Sequence, residues 1–493
     1  MGSGSEYERV ELPLVRQLRG MGWEHLECTQ SDPPGVTGRE SFREVLLLDR
    51  LHAALRRINL DDSGNEWLDE ERLNQAVSQL TRPQANSLLE VNEELTEKLL
   101  LGVTAEGVDG WDGGRVRTVH FIDWQSADPQ ERNDFLVVNQ FRIDPPGGRT
   151  SIWPDAVLFV NGIPLVVVEA KSPTKPDPIG DAVEQLRRYA NQRGSVEPEG
   201  SERLFHTNQF VVATCFETAK VGTLTSLNEH FAEWKTTAPV PEDDVKSDLG
   251  VAELSSQQRL VAGMLHPARM LDLMRHFTLF TQLDGRKIKI GARYQQYRAV
   301  RATIDRLIAG RTRTQDGEHD RRGGVIWHTQ GSGKSLTMVF LVRVMRSHPA
   351  LVGFKVVVVT DRRDLQRQLS GVAELTGETV YTAHRVAKAK ELLATPGKAL
   401  VFVMIQKYRN PEAEKTDDAA LKSIGELDAS PEVLVLVDEA HRSHGSTLHA
   451  ALQRALPNAA RVGFTGTPII MGAKPQSVDL PGWVMSESQY GCS

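Results

Sequence analysis

Two carboxylates and one lysine, about a third of the way along the chain, are spaced so that they could act on one reacting group. Asp155 opens the apolar run DAVLFV, and Glu169 and Lys171 close the run IPLVVVEAK. Side-by-side carboxylates repel each other, and a divalent cation relieves that repulsion. Oxygen ligands suit Mg²⁺, and a lysine beside the metal can stabilise charge on a phosphodiester. The triplet predicts a nuclease centre with Asp155 and Glu169 as metal ligands; its alternative is an ion pair at a sheet edge.

The register of the hairpin between the two runs decides whether this centre can form. Asn161-Gly162 is a strong signal for a tight turn between two strands. A plain two-residue turn would pair Asp155 with Val168 and direct Glu169 to the opposite face. A three-residue loop or a β-bulge would instead pair Asp155 with Glu169. We therefore predict an irregularity in this hairpin.

A second group of residues has the composition of a phosphate-binding loop. HTQGSGKSLTM spans residues 328–338, and His328 stands where the generic motif has its first glycine. Gly331 and Gly333 let backbone N–H groups turn toward phosphate, and the following helix N-terminus adds positive potential. Lys334 would reach the β- and γ-phosphates, and Ser335 would hold Mg²⁺. The predicted ATP-binding residues of this loop are Thr329, Gln330, Gly331, Ser332, Gly333, Lys334 and Ser335.

The run VLVLVDEAHRSHG supplies the acidic residues that such a loop requires. A buried strand brings Asp438 and Glu439 to the carboxyl end of a sheet, where ligands bind in parallel α/β folds. Asp438 is predicted to bind the Mg²⁺ of ATP, and Glu439 to orient the attacking water as a base. The alternative is a pair of carboxylates that merely caps the strand.

The elements that must position these residues form two α/β sets. In the first, an amphipathic helix (Val10–Leu26) and further helical segments precede the β-type runs, and a helix and the strand QFVVATC follow them. The second set has continuously apolar runs separated by helical stretches, namely GGVIWH, KVVVVT, ALVFVMI, VLVLVDEA and RVGFTGT. That alternation predicts a parallel sheet covered by helices.

Length and composition fit a multidomain globular protein. The chain has 493 residues, and its net charge of −7 gives no global reason for nucleic-acid binding, although a basic groove is compatible with it. Its three cysteines, Cys28, Cys215 and Cys492, have neither metal-site spacing nor the pattern of a disulfide framework. No apolar segment suggests a signal peptide or a membrane span. We expect a cytoplasmic protein with no membrane partner.

Several motifs connect these predictions to known families. Pro154-Asp155 with Glu-x-Lys resembles the PD-(D/E)xK nucleases, which often carry a further acidic residue on the first helix; Glu11 fits that position, with an exposed helix glutamate as its alternative. Asp-Glu-Ala-His resembles the DEAH-type superfamily 2 helicases and translocases. RYQQYRAV resembles their Q motif, with Gln296 as adenine reader, and TDRRDL and TGTP resemble motifs Ia and III.

Together, the motifs resemble the restriction (R) subunit of type I restriction-modification enzymes, over about residues 8–470. A nuclease before the motor and a Q-x-x-x-Y pair, Gln185 and Tyr189, fit that family. The resemblance implies ATP- and Mg²⁺-dependent cleavage of unmodified double-stranded DNA, coupled to DNA translocation in a complex with modification and specificity subunits. S-adenosylmethionine would serve only the partner modification subunit. In the implied roles, Asp155, Glu169, Lys171 and Glu11 form the cleavage centre, Gln185 and Tyr189 support it, and Gln296, Lys334, Ser335, Asp438 and Glu439 form the ATP site.

The predicted domain order follows from these assignments. We predict an α/β chain with a PD-(D/E)xK restriction-endonuclease-like domain at residues 1–240 and a linker and helical connector at 241–284. A RecA-like parallel-sheet P-loop domain (superfamily 2 helicase lobe 1) is predicted at 285–470, and a divergent tail at 471–493. The basic segment Arg286–Arg322 could contact DNA phosphates, or it could be a solvated face.

A second RecA-like lobe, which supplies an arginine to the transferring phosphate in this superfamily, does not follow. We therefore expect a truncated R subunit with weak ATP binding and negligible DNA-stimulated turnover. The alternative to a fragment that still cuts DNA is a catalytically incomplete remnant that binds ATP or DNA without completing either reaction.

Overall fold

The chain folds into two compact α/β units, one ending at Gly291 and one beginning at Ala292. The computed structural model describes residues 6–106, 114–147, 150–283, 285–329, 332–360, 363–375, 378–404, 419–438, 446–466 and 483–486. Three predicted site residues lie outside the described residues: Gln330, Gly331 and Glu439. The predicted α/β class with a parallel sheet is confirmed.

A mixed sheet forms the centre of the first unit. The strands of this unit are β1 (Glu24–Glu27), β2 (Val103–Ala105), β3 (Arg117–Val119), β4 (Phe135–Asn139), β5 (Ala156–Val160), β6 (Ile163–Ala170), β7 (Phe210–Thr214), β8 (Ala219–Gly222), β9 (Ala232–Glu233), β10 (Thr278–Leu283) and β11 (Arg286–Gly291). In the described part of the chain, the main sheet has seven strands in the order β1-β4-β5-β6-β7-β8-β9. Its parallel pairs are β1–β4 and β6–β7, while β2–β3 and β10–β11 form separate antiparallel hairpins.

Helices cover this sheet. They are α1 (Leu12–Gly20), which follows a π-helical turn (Tyr7–Glu11), α2 (Leu48–Ile58), α3 (Glu70–Thr81), α4 (Leu88–Leu101), α5 (Pro178–Tyr189), α6 (Glu242–Leu249), α7 (Ser256–Met264) and α8 (Pro267–His276). Helix α5 packs against β6 and β7. Strands β4 to β7 are buried at every position, as expected of strands covered on both faces.

The turn between β5 and β6 has two residues. Val160 pairs with Ile163, which leaves Asn161 and Gly162 at the tip. Both have positive φ, 53° and 75°, as a type I′ hairpin turn requires. A Cβ at Gly162 would lie 2.4 Å from the Leu47 carbonyl oxygen, so glycine also permits close packing against the start of α2.

A β-bulge then changes the register of the hairpin. Leu158 pairs with Val166, so Leu165 is the extra residue on β6. Continuing the new register places Asp155 opposite Glu169. An unbroken two-residue hairpin would place Asp155 opposite Val168 instead. The predicted irregularity is confirmed, and it is a bulge rather than a longer loop.

The segment after residue 240 packs into the first unit. Helix α7 contacts α1. Gln17 Nε2 donates to the Gln258 carbonyl at 2.9 Å, and Trp23 Nε1 donates to the Leu265 carbonyl at 3.0 Å. The residues predicted as linker and connector are therefore part of the compact unit that ends at Gly291.

The second unit contains a parallel sheet. Its strands are β12 (Gly324–Trp327), β13 (Lys355–Val359), β14 (Val380–Ala383), β15 (Ala399–Val403), β16 (Val433–Val437), β17 (Ala460–Thr465) and β18 (Trp483–Ser486). Its described helices are α9 (Tyr294–Ala309), α10 (Arg313–Asp316), α11 (Lys334–Ser347), α12 (Arg363–Leu375), α13 (Val386–Ala394) and α14 (Ser446–Ala455). The strand order among the described residues is β14-β15-β13-β16-β17-β12-β18, and each pair is parallel. The tail predicted from residue 471 contributes the edge strand β18.

Apolar packing stabilises each unit separately. In the first unit, Phe141 and Phe159 meet edge to face with ring centroids 5.1 Å apart in the core around α5. In the second, Val357 and Val435 belong to the core between the sheet and α13 and α14. Within the described ranges, no helix has the length and apolar content needed to cross a membrane.

Candidate functional site

Asp155 is fixed at the point where β5 and β6 separate. Its Oδ2 accepts from the Ala170 amide at 2.7 Å, and its Oδ1 accepts from Gln140 Nε2 at 3.3 Å. The Ala170 amide lies between Glu169 and Lys171, so the bulge places the Asp155 carboxylate beside both predicted partners. Asp155 is 9% exposed, which leaves one edge of it within reach of a ligand.

Glu169 and Lys171 form an ion pair with each other. Lys171 Nζ lies 2.5 Å from Glu169 Oε1 and also donates to the Ala170 carbonyl at 2.8 Å. Glu169 is 2% exposed, and the Tyr189 hydroxyl lies close enough to act on the pKa of Glu169. Its predicted role as a metal ligand stays a prediction, since its Oε1 is bonded to the lysine.

A residue that sequence reasoning missed, Glu6, completes a cluster of carboxylates. One oxygen each from Glu6, Glu11 and Asp155 lie within 4.8 Å of one another. The π-helical turn explains the pairing, because it joins residues five apart through the bond from the Leu12 amide to the Tyr7 carbonyl. Glu6 and Glu11 are also five apart and therefore face the same way.

Burial and mutual repulsion shift the pKa values of this cluster. Burial, followed by the negative charge of Asp155, raises the pKa of Glu11 to about 7. Burial raises the pKa of Asp155 to about 6, although Lys171 and the Ala170 amide oppose that shift. Burial and the Asp155 charge also hold the pKa of Glu169 well above its usual range. Burial lowers the pKa of Lys171, but Glu169 and Asp155 outweigh it and raise the value overall, so this amine stays charged.

Neutral amides hold the carboxylates together. Gln140 Nε2 donates to Glu11 Oε2 at 3.2 Å as well as to Asp155 Oδ1. Asn139 Nδ2 lies 3.5 Å from Glu11 Oε2. Gln140 has a φ of 52°, a left-handed conformation that is uncommon outside glycine and that often occurs at functional sites. This amide bridge connects the two carboxylates without adding a positive charge of its own.

The predicted Gln185 and Tyr189 pair supports the same strand end. Gln185 Nε2 donates to the Tyr189 hydroxyl at 2.9 Å, and that hydroxyl donates to the Trp153 carbonyl at 3.0 Å. Burial, then the negative charge of Glu169, raises the pKa of the Tyr189 phenol. The pair therefore fixes the backbone at Trp153, two residues before Asp155, and the Tyr189 hydroxyl lies close to Glu169.

The candidate nucleotide loop joins β12 to α11. Gly333 has a φ of 80° and precedes Lys334, the first residue of α11. Lys334 is buried, and its Nζ lies 3.5 Å from the carbonyls of His328 and Thr329. Ser335, in the first turn of α11, is half-buried. The loop thus has the strand, turn and helix start that a phosphate site requires.

Gln296 binds the backbone of this loop. Its Nε2 donates to the carbonyls of Ser332 and Gly333, each at 3.2 Å, and its Oε1 accepts from the Arg293 amide at 2.8 Å. The residue is 3% exposed. Adenine reading by Gln296 stays a prediction, while its bonds to the loop are a feature that the motif did not reveal.

Asp438 lies at the same sheet edge as the loop. It follows β16, its amide donates to the Val359 carbonyl at 3.0 Å, and its Oδ2 accepts from the Thr360 hydroxyl at 3.2 Å. Strand β17 alone separates β16 from β12. Two strand spacings of about 4.8 Å bring the ends of β16 and β12 within roughly 10 Å, which is compatible with joint binding of a nucleotide and its metal.

The basic segment Arg286–Arg322 is not a uniform surface. Lys289 is fully buried, and burial holds its pKa well below the usual range. Lys289 Nζ lies within hydrogen-bond distance of Asn92 Oδ1, the Asn208 carbonyl and Gln209 Oε1. Arg322 is 4% exposed and donates to Asp320 and to the Pro431 and Asn458 carbonyls. These two residues stabilise the fold, whereas Arg311 and Arg313 are exposed.

Comparisons with known proteins agree with this combination of sites. Residues 3–230 match the model of the type I restriction enzyme R protein N terminus, and residues 295–482 match the SWI2/SNF2 ATPase model. The chain is 31% identical over 488 residues to the type I restriction enzyme HindI endonuclease subunit of Haemophilus influenzae, covering 94% of this chain and 43% of that protein. It is 29% identical over 481 residues to a Methanocaldococcus jannaschii protein provisionally named the MjaIXP type I restriction enzyme endonuclease subunit, covering 93% and 42%.

These matches define a two-part protein with an R-protein N terminus and an ATPase domain. Residues 3–230 match the N-terminal domain of type I restriction enzyme R proteins, and the chain as a whole is similar to proteins named as endonuclease subunits of those enzymes. It spans less than half the length of the two curated relatives. The ATPase match extends to residue 482, beyond the point near Pro468 where the recognisable motifs end. The Pyrococcus furiosus Hef helicase domain aligns with 34% of this chain and with 35% of its own chain, at 18% identity and a TM-score of 0.22.

Proposed function

We propose that the first unit is the Mg²⁺-dependent endonuclease of a type I restriction enzyme and that it has the PD-(D/E)xK fold. The second unit binds ATP and contributes to translocation of double-stranded DNA in a complex with modification and specificity subunits. The observation that carries the proposal is the cluster of Glu6, Glu11 and Asp155 carboxylates next to a charged Lys171. The match of residues 3–230 to the type I restriction enzyme R protein N terminus supports it.

The residues of the cluster fit a hard divalent cation. All three donors are carboxylate oxygens, which Mg²⁺ prefers. Burial raises the pKa values of Glu11 and Asp155, and the positive charge of Lys171 only partly offsets that rise at Asp155, so a bound cation would stabilise their ionised forms. Glu6, Glu11 and Asp155 would hold the ion, which when bound lowers the pKa of water and screens the phosphodiester charge. Glu169 is the remaining candidate ligand through its Oε2.

The other residues of the centre bind and orient. Lys171 keeps its proton because Glu169 and Asp155 raise its pKa, so it can donate a hydrogen bond to a phosphate oxygen. Glu169 fixes the direction of that amine through the 2.5 Å ion pair. Gln140 keeps Glu11 and Asp155 close without neutralising them. Strand cleavage then depends on positioning and on charge stabilisation, which are the main contributions of proteins to phosphoryl chemistry.

A plasmid-nicking assay with Mg²⁺ tests the nuclease. We expect Asp155→Ala and Lys171→Ala to abolish nicking. Lys98→Ala is the matched control. Lys98 is also a partly buried lysine, its Nζ lies 2.7 Å from Glu94 Oε1, and neither residue belongs to the cluster. Absence of Asp155-dependent nicking at any concentration would instead favour a chain that binds ATP or DNA without completing the cleavage reaction.

A nucleotide titration tests the second unit. Lys334→Ala should abolish ATP binding, because the phosphates lose their cationic partner. Arg311→Ala, at an exposed position, is expected to leave that binding unchanged. DNA-stimulated hydrolysis is measured separately, since binding alone does not establish a motor.

A further inference from the structure

A buried glutamine that follows the predicted nuclease core bonds to two residues next to the candidate centre. Gln257, near the start of α7, is 0% exposed. Its Nε2 donates to the Val10 carbonyl at 3.0 Å, and its Oε1 accepts from the Thr214 hydroxyl at 2.7 Å. Because breaking either bond would leave a buried polar group unpaired, this amide fixes the separation of the two elements it joins.

Both partners of this amide adjoin residues of the centre. Val10 precedes Glu11 within the π-helical turn. Thr214 ends β7, and its carbonyl accepts from the Lys171 amide at 2.8 Å. Gln257 therefore connects the turn that carries Glu11 to the end of β7, whose last carbonyl bonds to the Lys171 amide.

The start of α7 is anchored, so Gln257 has little freedom to move. Its own amide donates to the Phe216 carbonyl at 3.1 Å. The Ser256 hydroxyl accepts from the Ala219 amide at 3.1 Å, and Ser255 caps the helix. These bonds fix the helix to the β7–β8 connection and direct the glutamine toward the centre.

We propose that Gln257 is a positioning residue of the nuclease centre, which holds Glu11 where it can share a divalent cation with Asp155. The inference rests on the proposed nuclease function. It assigns part of the centre to α7, within the segment whose composition predicts only a connector. Residues that orient metal ligands typically change metal affinity by about 10- to 100-fold when they are replaced.

Direct binding of Mn²⁺ to the whole chain, without DNA, tests this role. The relevant signal is the binding that Asp155→Ala abolishes. Gln257→Leu and Thr214→Val should each weaken it about tenfold. The double variant should be only slightly weaker than either, because both changes remove the same bridge. Thr214→Val keeps the side-chain shape and decides the question if Gln257→Leu does not fold.

Gln17→Leu is the matched control. It removes a buried amide bond to the Gln258 carbonyl, between α1 and α7, without touching Val10 or Thr214. We expect it to cost stability but to leave Mn²⁺ affinity unchanged. Equal Mn²⁺ affinities for Gln257→Leu and Gln17→Leu would overturn the positioning role.

A Mg²⁺ titration of plasmid nicking separates this inference from the proposed function. Gln257→Leu should raise the Mg²⁺ concentration for half-maximal nicking about tenfold, with nicking at saturating Mg²⁺ close to that of the wild type. Lys171→Ala should lower nicking even at saturating Mg²⁺. A wild type that binds Mn²⁺ but does not nick overturns the nuclease function alone, and Mn²⁺ affinity still decides the role of Gln257. A wild type that does neither overturns both.

Discussion

Replacing Glu11 with glutamine should stabilise the metal-free first unit at alkaline pH. Burial and the Asp155 charge raise the pKa of Glu11 from an ordinary 4.5 to about 7. At about 1.36 kcal/mol per pKa unit, this rise in pKa corresponds to a loss of roughly 3 kcal/mol from the free energy of unfolding once Glu11 is ionised. Between pH 4.5 and pH 7, a carboxyl group with such a raised pKa binds more protons in the folded state than in the unfolded state. The free energy of unfolding therefore falls as pH rises from about 4.5 through 7, and glutamine removes that loss.

Glutamine preserves the local bonds of Glu11. Its side-chain oxygen can still accept from Gln140 and Asn139, and its NH₂ group can donate to Asp155. Because the Glu11 and Asp155 charges are coupled, the two cannot each contribute their full value. We therefore expect a gain of about 2–3 kcal/mol at pH 8 and almost none at pH 4.5.

Urea titrations in EDTA at pH 4.5 and pH 8 measure this effect, with hydrogen exchange of peptides from residues 6–291 assigning the transition to the first unit. Added Mg²⁺ should restore stability to the wild type at pH 8 and do less for Glu11→Gln. Glu24→Gln is the control. The hydrogen bond from Arg50 lowers the pKa of Glu24, so replacing this carboxylate should not increase the free energy of unfolding at pH 8. Equal pH dependence for wild type and Glu11→Gln would refute the reasoning.

Three further perturbations test other parts of the molecule. Deleting Leu165 removes the bulge and turns Glu169 to the opposite face, so plasmid nicking should be lost; retained nicking would contradict the register argument. Lys289→Met leaves two buried acceptors, Asn92 Oδ1 and Gln209 Oε1, without their donor and should lower the free energy of unfolding by about 3 kcal/mol in a urea titration, and an unchanged midpoint would contradict this. Gly333→Ala, at a φ of 80°, puts a Cβ 2.4 Å from Gln296 Nε2 and should weaken ATP binding at least about tenfold in a fluorescent-nucleotide titration; undiminished affinity would refute the predicted geometry.

The register of the hairpin formed by β5 and β6 could be predicted because two constraints conflicted in the sequence. Asn161-Gly162 requires a two-residue turn, while a shared centre requires Asp155 opposite Glu169. Only an additional residue on one strand satisfies both. The sequence did not show which residue would bulge, because Ile163–Val168 is apolar throughout and every position in it can be buried.

The contribution of Glu6 could not be predicted from periodicity. In an α-helix, residues five apart lie about 140° from each other, so Glu6 and Glu11 would face different ways. The structure has a π-helical turn there, and its hydrogen bonds depend on how the turn packs. Gln257 was missed for a related reason. A buried glutamine has the same hydropathy as an exposed one, and only its partners, Val10 and Thr214, reveal its role.

The side chains that hydrogen-bond to the Glu11 and Asp155 carboxylates are neutral amides, which favours binding of a cation at the cluster. Buried carboxylates that serve only the fold are usually paired with arginine or lysine, as Glu378 is with Arg346 in the second unit. At the cluster, the bonds to Glu11 and Asp155 come from amides, and the one lysine is held by Glu169. An arginine in place of Gln140 would neutralise the carboxylates and remove their affinity for a metal. Glutamine instead fixes their positions and leaves the negative charge available, which is the combination that a divalent cation requires.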